Sequence, residues 1–184
     1  MGKNIKTEKK TSFLDEVLDW LKSLAITFVF VVLVFTFICR TAVVSGDSMT
    51  NTLKDKDFLV LWSLFYEPEN GDIISANCEG LNEVIVKRII AHEGQTVDID
   101  FSTGKVFVDG VELNEPYIRN LTINDERAFT YPIVVPEGQY FVMGDNRQGS
   151  RDSRDPAVKF VDREDILGKV VLRLFPFESF GTVD

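Results

Sequence analysis

Seventeen consecutive residues without a charge, 23–39, constrain this chain more than any other feature in it. The run is dense in branched and aromatic side chains on every face, so it does not read as the single apolar stripe of a helix packed on a soluble core. Its length sits at the lower edge of the roughly 17 to 25 residues that cross a bilayer. Lys22 and Arg40 at its ends can snorkel and Trp20 can sit at the interface, which lengthens the effective span. A cleaved leader is the competing reading, but the segment ahead of the run is long and no small-x-small site follows Arg40 cleanly. The run is therefore expected to be a retained transmembrane anchor. Lys3, Lys6, Lys9, Lys10 and Lys22 precede it, whereas only Arg40 and Lys54 fall in a comparable stretch after it. That bias predicts a cytoplasmic amino terminus, with everything from Thr41 outside.

Residues 1–10 are polar and basic, with nothing to bury. Ser12 then reads as a helix cap, with Asp15 three residues on. Phe13, Leu14, Val17, Leu18 and Leu21 recur at helical spacing opposite Asp15, Glu16 and Asp19, which predicts a helix lying at the interface before the anchor. One continuous helix over 12–39 fits the same residues. The expected organisation is thus a cytoplasmic tail and interfacial helix over 1–22, the anchor over 23–39, and an extracytoplasmic domain over 40–184.

After Leu53 the pattern changes to short runs of Val, Ile and Phe broken by Gly, Pro, Asn and Asp. Strands are expected at 58–63, 72–76, 84–91, 96–100, 105–108, 133–135, 140–144 and 168–175. Turns are signalled by Glu69-Asn70-Gly71, Ser102-Thr103-Gly104 and Asp109-Gly110. A mainly β fold follows, antiparallel and sandwich or barrel-like. Only 163–167 looks helical in this half. Residues 112–130, poor in apolar positions, read as a surface excursion, and within them Asn120-Leu121-Thr122 matches the glycosylation pattern.

Composition closes off other classes. A net charge of −9 and a pI near 4.7 leave no basic patch for nucleic acid. Cys39 and Cys78 lie on opposite sides of the anchor boundary, so neither a disulfide nor a CxxC metal site is expected, and a single histidine excludes a histidine-rich metal site.

Chemistry is expected in Ser45-Gly46-Asp47-Ser48-Met49-Thr50-Asn51-Thr52-Leu53, directly beyond the anchor. Ser48 needs a base to act as a nucleophile. His92 is one candidate, forming a triad with an aspartate such as Asp152. Lys87 is the other. If 84–91 is a strand, alternation puts Lys87 on the face of Ile85, Ile89 and Ala91, and an amine among apolar neighbours can lose its proton at working pH. Val84, Val86 and Ile90 make the opposite face apolar too, so the pattern does not choose a side. The charged stretch 144–155 reads three ways: a solvated loop, a calcium loop lacking the usual DxDxDG spacing, or a support shell around the lysine.

Taken together, Ser45-Gly46-Asp47-Ser48-Met49 with Thr52-Leu53, Lys87-Arg88-Ile89-Ile90-Ala91 with Gly94, and the Gly-Asp-Asn-Arg-x-x-Ser-x-Asp-Ser-Arg stretch at 144–154 resemble the sequence boxes of bacterial type I signal peptidases, in the compact single-anchor form typical of Gram-positive bacteria. Gly71-Asp72-Ile73-Ile74 resembles a further, structural box. The resemblance implies a membrane-bound serine endopeptidase that removes signal peptides from exported preproteins, with the lipid bilayer and those preproteins as partners and no metal or organic cofactor. It implies Ser48 as nucleophile, Lys87 as general base, Ser150 as the serine that orients the lysine, and Asp145, Arg88, Asp152 and Arg154 as residues that shape the site. Met49 and apolar residues of the early strands are expected to line the substrate pockets. In some members a serine two positions before the nucleophile donates to the oxyanion; Gly46 stands there in this chain. Asn51 replaces the family's usual proline, and His92-Glu93-Gly94-Gln95 replaces its Pro-Gly-Asp, which leaves open a peptidase dedicated to a restricted substrate set. A soluble self-cleaving repressor-type protease shares the dyad but not the anchor, and a non-catalytic anchored β-domain is the remaining alternative.

Overall fold

A computed structural model describes the backbone of residues 13–37 and 39–183, and their side chains apart from 33–39. The basic amino-terminal segment, the Ser12 cap, Ile38 and the side chains at the far end of the expected anchor lie outside what is described. The chain divides into two compact units, one up to Phe37 and the other beyond it.

The first unit is a helix, α1 (Phe13–Phe37), with Asp15 and Glu16 in its first turn where the positive end of the helix dipole favours them. It has no break at Lys22, and its 25 residues rise about 37 Å at 1.5 Å each. Ile26, Phe28, Phe30 and Val32 are exposed apolar side chains along it. Among the described residues no helix is long and apolar enough to cross a membrane, and the described side chains end at Val32, inside the expected span.

The second unit is mainly β and antiparallel, as the runs of branched residues predict. Its strands are β1 (Cys39–Val43), β2 (Phe58–Trp62), β3 (Ile73–Cys78), β4 (Glu83–His92), β5 (Thr96–Asp100), β6 (Lys105–Val108), β7 (Val111–Glu112), β8 (Ile133–Val134), β9 (Gln139–Met143), β10 (Val161–Asp162), β11 (Ile166–Phe175) and β12 (Gly181–Thr182). The larger sheet runs β1-β2-β11-β3-β4-β9-β10, with β12 also paired to β11; the smaller runs β7-β6-β5-β8.

Both faces of the larger sheet are covered, which is why alternation alone did not choose a side for Lys87. Ile74, Ala76, Ile85, Ile89 and Val142 join one buried cluster, while Leu59, Leu61, Ile73 and Val170 join another with Met49 and Leu53. A bulge in the β4–β9 pairing, between Ile89 and Ala91, lets Ile90 and Ala91 both enter a third cluster that reaches Val97, Ile99, Val106 and Val108 of the smaller sheet.

Two departures have local causes. The helix expected at 163–167 is a 3₁₀ turn, Arg163–Asp165, because Ile166 already pairs with Ala76 and the ladder continues through Gly168 and Lys169. β1 was not expected, since it follows directly on the apolar run; it is recruited by pairing with β2 along its whole length. Residues 113–132 contain no helix or strand, in keeping with an excursion, but Thr122 within them is fully buried.

Candidate active site

Three segments converge at one end of the larger sheet: the turn after β1 carrying Ser48, the middle of β4, and the loop after β9. The turn is closed by the Thr50 N–H on the Asp47 carbonyl and the Leu53 N–H on the Met49 carbonyl. That closure points Met49 inward, where it is fully buried with Leu53, Leu59 and Leu61. Met49 therefore packs in the core and is absent from the groove wall, where the sequence reading put it. The Thr50–Asn51 peptide bond is cis.

Successive side chains of a strand point to opposite faces, so β4 supplies two different groups from adjacent positions. Lys87 lies in the cluster face of Ile85 and Ile89, only 5 % exposed, and its Nζ is 2.8 Å from Ser48 Oγ. Nζ also donates to the Val86 carbonyl at 3.0 Å. Burial lowers the Lys87 pKa from the usual 10.5, and the carboxylates of Asp152, Glu83 and Asp145 offset part of that effect. Asp145 and Asp152 are each committed to a guanidinium, which limits their pull on the amine.

Arg88, on the other side of β4, makes a two-pronged contact with Asp145 at 3.0 and 2.9 Å and donates to the Gly71 carbonyl at 2.7 Å. Its guanidinium stacks 4.0 Å from the Tyr117 ring centre. Asp145 also accepts from the Thr52 hydroxyl, which ties the nucleophile turn to the loop. Asp152 pairs with Arg154 through both carboxylate oxygens and accepts the Gly144 N–H at 2.9 Å. The carboxylates of this loop are therefore spent on arginines, contrary to the calcium-loop reading, and Asp145, Arg147, Asp152 and Arg154 are buried, contrary to the solvated one, with Arg151 alone of its arginines exposed.

Sequence reasoning missed Arg147, Asn146, Glu115 and Gly144. Arg147 is fully buried, with its guanidinium on Glu115, on the Thr122 hydroxyl at 2.8 Å and on the Gly144 carbonyl at 3.0 Å. The hydroxyl of the glycosylation pattern is thus an internal partner of an arginine. Gly144 is required by close approach: a Cβ there would lie 2.2 Å from Ser150 Oγ and 2.5 Å from the Ser48 carbonyl oxygen. Gly144→Ala is expected to push Ser48 away from Lys87 and to lower stability by about 1–3 kcal/mol, as measured by urea unfolding; unchanged stability would show that the loop yields freely.

The expected Ser150 contact and the alternative His92 triad are both missing. Ser150 Oγ is buried with no hydrogen-bond partner among the described residues, so it does not hold the lysine in this state. His92 sits at the end of β4, opposite Tyr140, with Nδ1 3.0 Å from the Glu93 carbonyl. It lies five positions along the strand from Lys87, about 16 Å, and it faces a different cleft with Glu67, Glu69 and Arg163.

Ser48 and Lys87 open onto a groove of about 460 Å³. Its walls are residues of β1, from Arg40 to Val43, and of β4, from Glu83 to Val86, with Leu61 and Leu167 also lining it. β1 is the last strand of its sheet, with β2 as its only strand partner among the described residues.

A family model described as signal peptidase, peptidase S26, matches residues 17–175. The chain is 36 % identical over 188 residues to a signal peptidase I of Bacillus amyloliquefaciens, covering 95 % of this chain and 97 % of that one. It is 32 % identical over 186 residues to a signal peptidase I of Bacillus licheniformis, covering 96 % and 98 %. A signal peptidase IB of Staphylococcus aureus is 32 % identical over 182 residues, covering 90 % and 93 %. The crystal structure of a signal peptidase I from Enterococcus faecalis, 32 % identical, matches with a TM-score of 0.47 over 56 % of this chain and 97 % of that one.

Proposed function

The chain belongs to the signal peptidase S26 family, as a peptidase that cleaves signal peptides, and from that premise we propose that it does so with a Ser48–Lys87 dyad. The observation that carries the reading is the 2.8 Å approach of a buried amine to the Ser48 hydroxyl. Neutral Lys87 takes the proton of Ser48 as Oγ attacks the scissile carbonyl. The resulting ammonium returns a proton to the leaving amine. Lys87, neutral again, draws a proton from the water that releases the acyl group. Ser150, whose buried hydroxyl has no partner among the described residues, is the acceptor proposed for the amine once it carries the extra proton. The Ser48 N–H stabilises the oxyanion, and with Gly46 upstream no side chain there supplies a second donor.

The preprotein lies extended along the edge of β1, with main-chain hydrogen bonds to the side of that strand away from β2 and small side chains turned into the groove. Residues 23–39 anchor the enzyme, the uncharged run supporting a single crossing and the preceding lysines a cytoplasmic amino terminus. Detergent-solubilised full-length chain mixed with a preprotein tests the assignment: Ser48→Ala is expected to lose cleavage while remaining folded. Cleavage at the wild-type rate by that variant would refute the dyad, and a function that survives it would favour the non-catalytic β-domain.

The lysine also sets a pH dependence of stability. Unfolded, Lys87 keeps its proton up to about 10.5; folded, it releases it at lower pH because of burial. Between those two values the unfolded chain binds more protons, so stability rises with pH, and below both the full burial cost is felt. Lys87→Met is therefore expected to unfold at higher temperature than wild type, with a difference that shrinks as pH rises toward 10.5. A difference that grows with pH would reverse the sign and contradict the depressed pKa.

A further inference from the structure

The main chain at Asp47 and Ser48 is held by Asn146, whose side-chain amide is braced in turn by Asn120 of the excursion. Asn146 donates its N–H to the Ser48 carbonyl at 3.0 Å and its Nδ2 to the Asp47 carbonyl at 3.2 Å. The other end of that amide is held in turn, since Asn120 Nδ2 donates to Asn146 Oδ1 at 3.2 Å and Asn120 Oδ1 accepts the Gln148 N–H at 3.1 Å. Asn120 is itself pinned on both sides. The Arg119 N–H donates to the Asp145 carbonyl at 2.8 Å, and the Thr122 N–H donates to the Gly104 carbonyl at 3.2 Å.

The Asp47 carbonyl and the Ser48 N–H lie in one trans peptide plane and point in opposite directions. An amide fastened to the carbonyl therefore fixes the aim of the N–H, and polarises it as a donor. Because Gly46 brings no hydroxyl, that aim matters more here than where a side chain shares the oxyanion. We propose that Asn120, acting through Asn146, is a positioning residue that directs the Ser48 N–H at the oxyanion, an inference that rests on Ser48 as the nucleophile. The excursion is then a working part of the site, bracing the nucleophile from a segment more than 70 residues away in the chain.

The test compares wild type, Asn120→Ala, Asn120→Asp and Ser48→Ala on a signal-sequence peptide and on the matching peptide aldehyde. Ser48 Oγ adds to the aldehyde carbon while Lys87 takes its proton, leaving an oxygen anion where the reaction places one. In Asn120→Ala, kcat falls about tenfold, a fraction of the 10²–10³ lost when an oxyanion donor is removed outright. KM stays within about twofold, and the aldehyde binds weaker by the same factor as kcat falls. Asn120→Asp keeps the acceptor for the Gln148 N–H but turns a carboxylate oxygen on Asn146 Oδ1. Its Tm stays near wild type while kcat falls at least as far. Wild-type kcat in both variants, a loss confined to KM, or a rate that merely follows Tm with unchanged aldehyde affinity would overturn the proposal. If Ser48→Ala is inactive and the Asn120 variants are not impaired, this inference alone fails. If Ser48→Ala cleaves normally, the nucleophile assignment fails and takes this one with it.

Discussion

Lys87→Met is expected to lower kcat/KM by at least about 10³-fold, whereas His92→Ala leaves it within about twofold. Methionine keeps the unbranched, apolar stem that packs beside Ile85 and Ile89 and removes only the basic nitrogen, so the variant separates chemistry from folding. A general base contributes about 10²–10⁴ to rate, and the proposed dyad uses the same amine in both acylation and deacylation. His92 has no comparable position, lying at the far end of β4 in another cleft. Steady-state cleavage of a preprotein peptide by the two variants reads the result. Loss of activity in His92→Ala with retention in Lys87→Met would transfer the base to the imidazole.

Asp145→Ala is expected to cost about 3–5 kcal/mol of folding stability, because it leaves the Arg88 guanidinium buried without its carboxylate. The same change deprives the Thr52 hydroxyl of its acceptor, so the nucleophile turn loosens along with the loop. In a domain of this size a loss of that order lowers Tm by about 10 °C. Asp145→Asn keeps an acceptor but not the charge, and falls between the two. Urea unfolding of the three proteins checks the order; a cost under about 1 kcal/mol for the alanine variant would show that water replaces the carboxylate.

Much of the β framework was legible in the chain. Runs such as 96–100 and 105–108 alternate cleanly between buried and exposed positions, and β5 and β6 coincide with them. The edges of β3, β4 and β11 extend a residue or two beyond the runs because ladder pairing carries the strand past its most apolar stretch. β1 was hidden by its neighbour: Cys-Arg-Thr-Ala-Val has little pattern of its own and becomes a strand through β2.

The site divides in the same way. Ser48, Lys87, Arg88, Asp145, Asp152 and Arg154 could be named from short motifs, and the structure brings them together. The inward turn of Met49 could not be seen, since it depends on the hydrogen bonds that close 47–53. Nor could the burial of Arg147. A charge run reads as a solvated surface until its partners are known, and Glu115 and Thr122 lie more than 20 residues upstream. An arginine flanked by Asn146 and Gln148 in a loop without lysines was the available hint that the charges serve fixed geometry. Gly144 carried no signal of that kind, because the need for a missing Cβ arises only when Ser48 and Ser150 close on it.

All of this chemistry depends on one amine being uncharged when the substrate arrives. A ¹³Cε NMR titration of the labelled, detergent-solubilised enzyme, with the Lys87 resonance assigned by its disappearance in Lys87→Met, measures that directly. The site described here predicts a midpoint well below the ordinary lysine value of 10.5; a midpoint at or above it would mean that Lys87 is charged at working pH and does not take the Ser48 proton.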